Sequence, residues 1–328
     1  MRTRNRQPRL RTILLWHVHG AWTQAFVAGG HRYLIPVNDD RDTDGRGLCG
    51  RDWPHAAEAT PAELRATDVD LVVLQRPHEA RLVESWLGRR PGVDLPAIYV
   101  EHNTPRPYAV DSTHPVADRT DIPVVHVTDF NRLMWDNGRA PTTVITHGIA
   151  DPGPLYSGEL PAAGAAINEP VRRGRTVGTD LLAELSGYAP IDVWGMGTEE
   201  LNRPGRQRPG VVGHGDRPGP ALWAELARRR VYLHTARWTS LGLSLLEAMY
   251  LGMPVVAVAA TMAPLVVPAE AGVVSADPAV LGRALAEFVA DPEHARATGA
   301  AAREFARKQF GLDRFLHDWD HLIEAQCA

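Results

Sequence analysis

The segment VYLHTARWTSLGLSLLEAMYLGMPVVAVA holds the residues whose types and spacing best fit a chemical role. Its pattern predicts a strand, a glycine-containing loop, a helix from about Leu243 to a stop at Gly252, and a second strand. The free amides and the dipole at such a helix N-terminus favour an anion such as a diphosphate. Glu247 falls about one turn into the helix, where its carboxylate can accept hydrogen bonds from a ribose. The alternative interpretation is a glutamate that only complements the helix dipole.

A second chemical feature is the basic segment VRRGRTVGTDLL, which contains Arg172, Arg173 and Arg175. Arginine supplies nearly all the positive charge because Lys308 is the only lysine, which argues against a lysine nucleophile or a Walker-type lysine. The planar guanidinium fork suits a diphosphate. A solvated run of charge is the alternative, and we expect at least one of the three arginines to have a functional role.

Polar residues also follow the predicted strands of the first half, where open parallel sheets bind ligands. Gly20 and His102 are candidate ligand-binding residues, although a turn glycine and a buried core histidine are the competing interpretations. Further candidates at these strand ends are His19, Trp22, Gln75, Arg76 and Asn103.

No metal site is predicted. Asp40, Asp42, Asp44 and Gly45 imitate the start of a calcium loop, but the twelfth position is Arg51 and no helix pair flanks it. Asp42 and Asp44 also form a DxD pattern, which we interpret as part of a mobile surface loop. His17 and His19 share a strand face without a third ligand nearby in the sequence.

The elements that must position these residues alternate between apolar runs and helix-compatible stretches. Buried strands are predicted at TILLWHVHG, HRYLIPV, VDLVVLQ, PAIYVEHN, PVVHVTD and TTVITHG, and then at IDVWGMG, RPGVVGHG, VYLHTA, MPVVAVA and AGVVS. This βαβ order predicts an α/β protein with parallel sheets. A chain of 328 residues favours two domains.

The expected organisation is an N-terminal Rossmann-like domain over residues 1–150, a linker over 151–165, and a C-terminal Rossmann-like domain over 166–310. Residues 311–328 are expected to form a closing amphipathic helix, with apolar residues at helical spacing.

The net charge of -4, without charge blocks, disfavours a nucleic-acid partner. Two distant cysteines fit a reducing cytoplasm. The basic N-terminus precedes only a short apolar stretch, so neither a signal peptide nor a membrane-spanning segment is expected.

The sequence GLSLLEAMYLGMPVVA resembles the C-terminal signature of the family 4 retaining glycosyltransferases of GT-B fold. The resemblance covers most of the chain in order and spacing, through HGAW, EHNTP, THGIADP, WGMG and the closing helix. It implies two Rossmann-like domains with parallel sheets facing a cleft, and a C-terminal helix that crosses back to the first domain. It also implies transfer of a sugar from a nucleoside-diphosphate sugar to an acceptor, with retention of configuration and without a metal or other cofactor.

The resemblance further implies roles for individual residues. The donor diphosphate would lie at Ser240, Leu241, Gly242 and Leu243 and at the arginines, with the donor sugar near His102. The catalytic candidates are His102, Arg172 and Arg173, and the donor-binding candidates are Gly20, Arg175, Thr239, Ser240, Leu241, Gly242, Leu243 and Glu247. The acceptor-binding candidates are His19, Trp22, Gln75, Arg76 and Asn103. Two positions depart from the family pattern, because Thr239 replaces a sugar-binding glutamate and Val177 replaces the lysine of the diphosphate clamp.

A narrower resemblance, carried by HVHGAW, VVLQRP, EHNTP and VRRGR, is to actinobacterial glycosyltransferases associated with heptose and octose sugar nucleotides. One of these acts in lincosamide antibiotic biosynthesis and joins a GDP-linked octose to the sulfur of ergothioneine. The alternatives are a glycosyltransferase of cell-surface glycan or glycolipid assembly, a GT-B epimerase or phosphorylase, and a catalytically silent nucleotide-sugar-binding module. A nicotinamide dehydrogenase is disfavoured because no GxGxxG follows the first strand.

Overall fold

The computed structural model describes residues 9–328, so most of the basic N-terminal segment lies outside the described residues. The described chain divides into two compact units, residues 9–148 with Leu312–Ala328, and Ile149–Gly311. Within residues 9–328, no helix combines the length and apolar character needed to span a bilayer.

The first unit contains a parallel sheet of seven strands in the order β3-β2-β1-β4-β5-β6-β7. All four residues of the central strand Leu71–Leu74 are buried, as expected for a strand that is covered on both faces. The strands are β1 (Thr12–Leu15), β2 (Arg32–Pro36), β3 (Ala56–Ala59), β4 (Leu71–Leu74), β5 (Ala97–Glu101), β6 (Val124–His126) and β7 (Thr142–Val144). The helices of this part of the chain are α1 (Gly20–Phe26), α2 (Pro61–Ala66), α3 (Glu79–Leu87) and α4 (Asp129–Met134).

Six of these strands fall on the predicted apolar runs, and β3 is the exception. Its sequence, AAEA, carries no run of large apolar residues because the strand lies at the sheet edge and only its last residue is buried. An edge strand of small and polar residues has little hydrophobic signal to detect.

The second unit contains a parallel sheet of six strands in the order β10-β9-β8-β11-β12-β13. The strands are β8 (Leu160–Ala166), β9 (Ile191–Trp194), β10 (Val211–Gly213), β11 (Arg229–His234), β12 (Val255–Val258) and β13 (Gly272–Ser275). The helices are α5 (Pro170–Arg173), α6 (Leu182–Leu185), α7 (Gly219–Leu226), α8 (Leu243–Leu251), α9 (Ala263–Val266), α10 (Pro278–Ala290) and α11 (Pro292–Gln309). Short 3-10 helices occupy Gly174–Val177, Thr179–Leu181, Thr198–Asn202 and Ala269–Ala271.

Strand β8 lies mostly within residues 151–165, which the sequence predicted as a linker, and it pairs with both β9 and β11 inside the sheet. Its sequence, LPAAGAA, has only alanine and glycine after Leu160 and Pro161. A Cβ atom at Gly164 would lie 2.8 Å from Leu226 and 3.6 Å from the Trp194 ring, so large neighbours already fill the space above this strand. The side chains of β8 are small because those packed against them are large. A strand without large apolar residues gives no periodic hydrophobic pattern in the sequence.

The last helix, α12 (Leu312–Gln326), belongs to the first unit. Phe315, Trp319 and Ile323 repeat every four residues and are buried. The Trp319 ring packs edge-on against Trp22 and Phe26 of α1, at centroid distances of 5.7 and 4.9 Å. The predicted return of the C-terminal helix to the first domain is therefore confirmed.

Candidate functional site

The loop between β11 and α8 brings a helix N-terminus to the carboxyl end of the central sheet in the second unit. Gly242 is the N-cap residue of α8 and, as a glycine, has no side chain that could cap the helix, and the first turn of α8 holds no acidic residue. The uncapped amides and the helix dipole make this end suitable for an anion. A Cβ atom at Gly242 would lie 2.8 Å from the ring of His234, so a side chain at this position would collide with the histidine.

His234 is a residue that the sequence analysis did not single out. It is the last residue of β11, and burial lowers its pKa to about 4, so the imidazole is neutral at neutral pH. Its position at the end of a buried strand, directly before a glycine-containing loop, is the signal that would have identified it.

The Glu247 carboxyl lies one turn into α8 and is largely buried. Burial raises its pKa, and a contact with the Trp223 indole partly offsets the effect. Among residues 9–328, no basic side chain forms a salt bridge with Glu247, so its oxygens are available to accept hydrogen bonds from a ligand hydroxyl. The start of α8 is anchored nearby, where the Tyr232 hydroxyl lies 2.9 Å from Ser244 Oγ.

The two positions that depart from the family pattern have different surroundings. Val177 is 4% exposed and packs in the apolar core of the second unit, so it contributes no charge to a ligand. Thr239 Oγ1 is buried and has no hydrogen-bond partner within the described part of the chain. An unpaired buried hydroxyl is costly, which makes Thr239 a natural partner for a polar group of a ligand.

The predicted arginines lie on α5 and the 3-10 helix that follows it, and two of them form exposed ion pairs. Arg172 forms a bidentate pair with Glu169, and Arg175 lies 2.8 Å from Asp180. Their side chains are 70% and 79% exposed, so these pairs are weak and leave the guanidinium groups free to exchange partners. Arg173 lies between them and is half-buried.

Arg237 is a further arginine that sequence analysis missed. Its guanidinium contacts both oxygens of Asp180, at 2.6 and 3.0 Å, and donates to the backbone carbonyl of Arg175 at 3.0 Å. Its backbone N–H donates to Thr176. Arg237 therefore ties the loop before α8 to the arginine-bearing segment, and its position in that loop is the signal that would have found it.

In the first unit, four of the predicted residues converge at the carboxyl ends of β1, β4 and β5. The rings of His19 and His102 lie 4.0 Å apart between centroids, and Trp22 meets His102 edge-on at 5.0 Å. Gln75 joins the cluster, with Oε1 at 3.0 Å from His102 Nε2. His147, which follows β7 and was not among the predicted residues, lies near His19.

These histidines are neutral at neutral pH. Burial lowers the pKa of His19, lowers that of His102 well below its ordinary value, and lowers that of His147 to about 3. Repulsion by His19 adds to the effect on the other two. The cluster therefore offers uncharged hydrogen-bonding nitrogens beside an aromatic face.

The remaining predicted residues of the first unit have protein partners of their own. Arg76 contacts Glu79 Oε1 at 2.6 Å and Asp44 Oδ1 at 2.9 Å. Asn103 is exposed, and its backbone N–H donates to Glu101 Oε1 at 2.6 Å. Gly20 opens α1, and a Cβ atom there would make an ordinary contact of 3.5 Å with a histidine ring.

The aspartate-rich loop is held together by its own hydrogen bonds. Asp42 Oδ1 accepts from Asn38 Nδ2 and from the backbone N–H groups of Asp44 and Gly45, at 2.8 to 3.1 Å. The Asp44 carboxylate pairs with Arg76 and His78. Across residues 9–328, no group of three or more His, Cys, Asp or Glu side chains is arranged to hold a metal ion.

Part of the second unit matches a known family model. Residues 209–305, which include His234, the loop and α8, match the family model described as glycosyl transferases group 1. No curated protein sequence matches the chain.

Solved structures resemble nearly the whole chain. Sucrose-phosphate synthase from Thermosynechococcus elongatus has a TM-score of 0.70 at 16% identity, covering 96% of this chain and 98% of that one. Anabaena HepE in complex with UDP-glucose has a TM-score of 0.70 at 17% identity, covering 96% and 100%. A glycosyltransferase from Rickettsia africae has a TM-score of 0.63 at 14% identity, covering 97% and 99%. At these identities the likeness shows a common fold.

Proposed function

We propose that the chain is a glycosyltransferase, since residues 209–305 match the family model of glycosyl transferases group 1 and the chain shares the fold of solved glycosyltransferases. We propose that it transfers a sugar from a nucleoside-diphosphate sugar to a small-molecule acceptor, with retention of anomeric configuration. The observation that carries the proposal is the uncapped N-terminus of α8 with Glu247 one turn inside it. An anion and a ribose hydroxyl fit these two features together.

The chemistry assigned to the second unit is stabilisation of a departing diphosphate. Backbone amides at Leu241, Gly242 and Leu243 supply fixed donors, and the arginines near Asp180 supply mobile positive charge. Retention follows if the departing phosphate oxygen takes the acceptor's proton while the acceptor attacks from the same face. Such a step needs no strong base from the protein, which fits the pKa of about 4 of His234 beside the start of α8, because so low a pKa makes its imidazole a weak base.

The proposed reaction uses no metal ion. Arginines and helix amides take the role that a divalent cation would have at the diphosphate. Exhaustive treatment with a chelator is expected to leave turnover nearly unchanged. Loss of turnover that only magnesium or manganese restores would contradict this part of the proposal.

The proposal names the donor and the acceptor by chemical class, and two observations suggest which compounds to test first. HepE was solved with UDP and with UDP-glucose, which makes uridine nucleotides the first donors to test. The sequence resemblance adds GDP-linked heptoses and octoses as donors and the thiol or thione of ergothioneine as an acceptor, in antibiotic biosynthesis. A role in assembling cell-surface glycans or glycolipids is the alternative setting.

The deciding experiment has two stages. Calorimetry with UDP, GDP, ADP and dTDP identifies the base, and sugar nucleotides of that base are then incubated with acceptor mixtures. Release of nucleoside diphosphate that depends on acceptor, with a glycosylated product of unchanged anomeric configuration by NMR, is the expected result. A product of inverted configuration would contradict retention.

A second candidate is a nucleotide-sugar-binding module without transferase activity. Buried Val177 and neutral Thr239 favour it, because they remove two charged groups of the family pattern. Tight nucleotide binding without turnover on any acceptor would support this module over the enzyme.

A further inference from the structure

Gln75, which follows β4, is held at four points. Its backbone N–H donates to Glu79 Oε2 at 2.6 Å, and its backbone carbonyl accepts from the Tyr99 hydroxyl at 3.3 Å. Its side-chain Nε2 donates to the backbone carbonyl of Trp16 at 2.7 Å, and its Oε1 lies 3.0 Å from His102 Nε2. Both the backbone and the amide group are therefore fixed, and Gln75 itself is 6% exposed.

The direction of each hydrogen bond follows by elimination. The Trp16 carbonyl oxygen can only accept, so the amide group that faces it must be the NH₂. The amide oxygen must then face His102, and since this oxygen also can only accept, His102 Nε2 must carry a proton. The backbone carbonyl of Trp16, which follows β1, thus determines the tautomer of His102, which follows β5.

The other ring nitrogen of His102 is left without a proton, because the imidazole is neutral. Burial, with repulsion from His19 and His147, lowers the pKa of His102 well below its ordinary value. Neutral imidazole has one N–H and one lone pair, so the Nδ1 atom is an acceptor. In the described part of the chain, this Nδ1 has no hydrogen-bond partner.

We propose that Gln75 is a positioning residue that fixes His102 in the Nε2-protonated tautomer, so that Nδ1 accepts a hydrogen bond from a substrate hydroxyl. This assigns Gln75 a role different from the acceptor contact that its sequence position predicted. A neutral acceptor nitrogen binds a hydroxyl and repels a phosphate oxygen, so the arrangement also selects the kind of group that His102 contacts. The substrate hydroxyl rests on the proposed function, whereas the tautomer does not.

NMR tests the tautomer without any substrate. In ¹⁵N-labelled protein, long-range ¹H–¹⁵N spectra distinguish protonated from unprotonated ring nitrogens, and the His102 signals are those lost in His102→Gln. The expected wild-type pattern is a protonated Nε2 and an unprotonated Nδ1. A protonated Nδ1, or a doubly protonated ring near neutral pH, would overturn the proposal, and this measurement requires no Gln75 variant to fold.

Gln75→Met then tests the cause, with Gln24→Met as the matched control because Gln24 is exposed on α1. Gln75→Met is expected to give a mixture of both His102 tautomers, whereas Gln24→Met keeps the wild-type pattern. In transfer assays, Gln75→Met should lower kcat/KM by about threefold to tenfold, the loss of roughly one hydrogen bond. Affinity for the free nucleoside diphosphate should stay unchanged.

An unchanged tautomer in Gln75→Met would remove Gln75 from this role, and a changed tautomer with unchanged kcat/KM would remove the substrate contact. If the wild-type protein transfers no sugar, the proposed function fails, and the NMR result still decides the tautomer on its own.

Discussion

The histidine cluster of the first unit and the arginine segment of the second unit present opposite electrostatics. His19 and His102 lie beside the buried side chain of Trp22 and are neutral. Arg172 and Arg175 remain charged, are mostly exposed, and are paired with neighbouring carboxylates. The first region is therefore fixed by burial and hydrogen bonds, while the second can change partners at little cost. The fixed groups are expected to respond strongly to mutation and to pH, and the exposed ones weakly.

Glu247 gives the largest expected effect, because it combines burial with freedom from any salt bridge in residues 9–328. Glu247→Ala should weaken binding of the nucleoside diphosphate by about 1.5 to 3 kcal/mol, the value of a hydrogen bond to a charged group. Calorimetry measures the change. The matched control is Glu304→Ala, an exposed glutamate on α11, which should bind the nucleotide as the wild-type protein does. Equal affinities for the two variants would indicate that Glu247 only complements the helix dipole and does not bind the nucleotide.

Acid should destabilise the protein through its buried histidines. His126 is fully buried with a pKa lowered to about 4, whereas the unfolded chain has the ordinary value of about 6.5. The unfolded state therefore binds a proton first, so stability is complete above pH 6.5 and is lost as pH falls toward 4. At pH 5 this one residue should account for a loss of about 2 kcal/mol in the free energy of unfolding. The raised pKa values of Glu79 and Glu247 act in the opposite direction.

Urea unfolding at pH 8 and pH 5 measures this effect, with His126→Gln compared with the exposed control His55→Gln. His126→Gln should show a smaller loss of stability on acidification, because it removes one buried titrating group. Equal pH dependence in the two variants would show that His126 is accessible to solvent in the folded state.

The same contrast explains how far the sequence predicted the molecule. Apolar runs predicted most strands, because burial on both faces of a parallel sheet requires them, and they also predicted where His102 and Glu247 fall. The strand β8 escaped prediction, since Gly164 is small only to accommodate Leu226 and Trp194. Arg237 escaped because its partner, Asp180, is distant in sequence. Which arginine is exposed and which is tied down depends on such contacts, which one sequence does not display.

Thr239 tests whether the second unit, like the first, also binds its ligand through a buried side chain. Its buried hydroxyl has no partner in residues 9–328, so we expect it to face the donor sugar. Thr239→Glu should lower turnover of the native donor by about tenfold or more, because the longer carboxylate crowds the sugar or is buried without a full set of partners. Affinity for the free nucleoside diphosphate should stay within a few-fold. Unchanged turnover would show that Thr239 does not face the sugar, and a collapse of nucleotide affinity would assign it to the diphosphate loop.

Arg172 gives the smallest expected effect, because it belongs to the exposed arginine segment of the second unit. Its guanidinium is 70% exposed and engaged with Glu169, and solvent screens exposed pairs of this kind, so they contribute little. If it keeps this partner when nucleotide binds, Arg172→Ala should change nucleoside-diphosphate affinity by less than about twofold. Arg237→Ala is the companion variant, and its effect should be larger because Arg237 is only 27% exposed and ties two loops together through Asp180. Calorimetry at low and high salt distinguishes the two. A tenfold loss in Arg172→Ala that high salt abolishes would show that Arg172 leaves Glu169 for the diphosphate, and the exposed region would then be the one that binds charge.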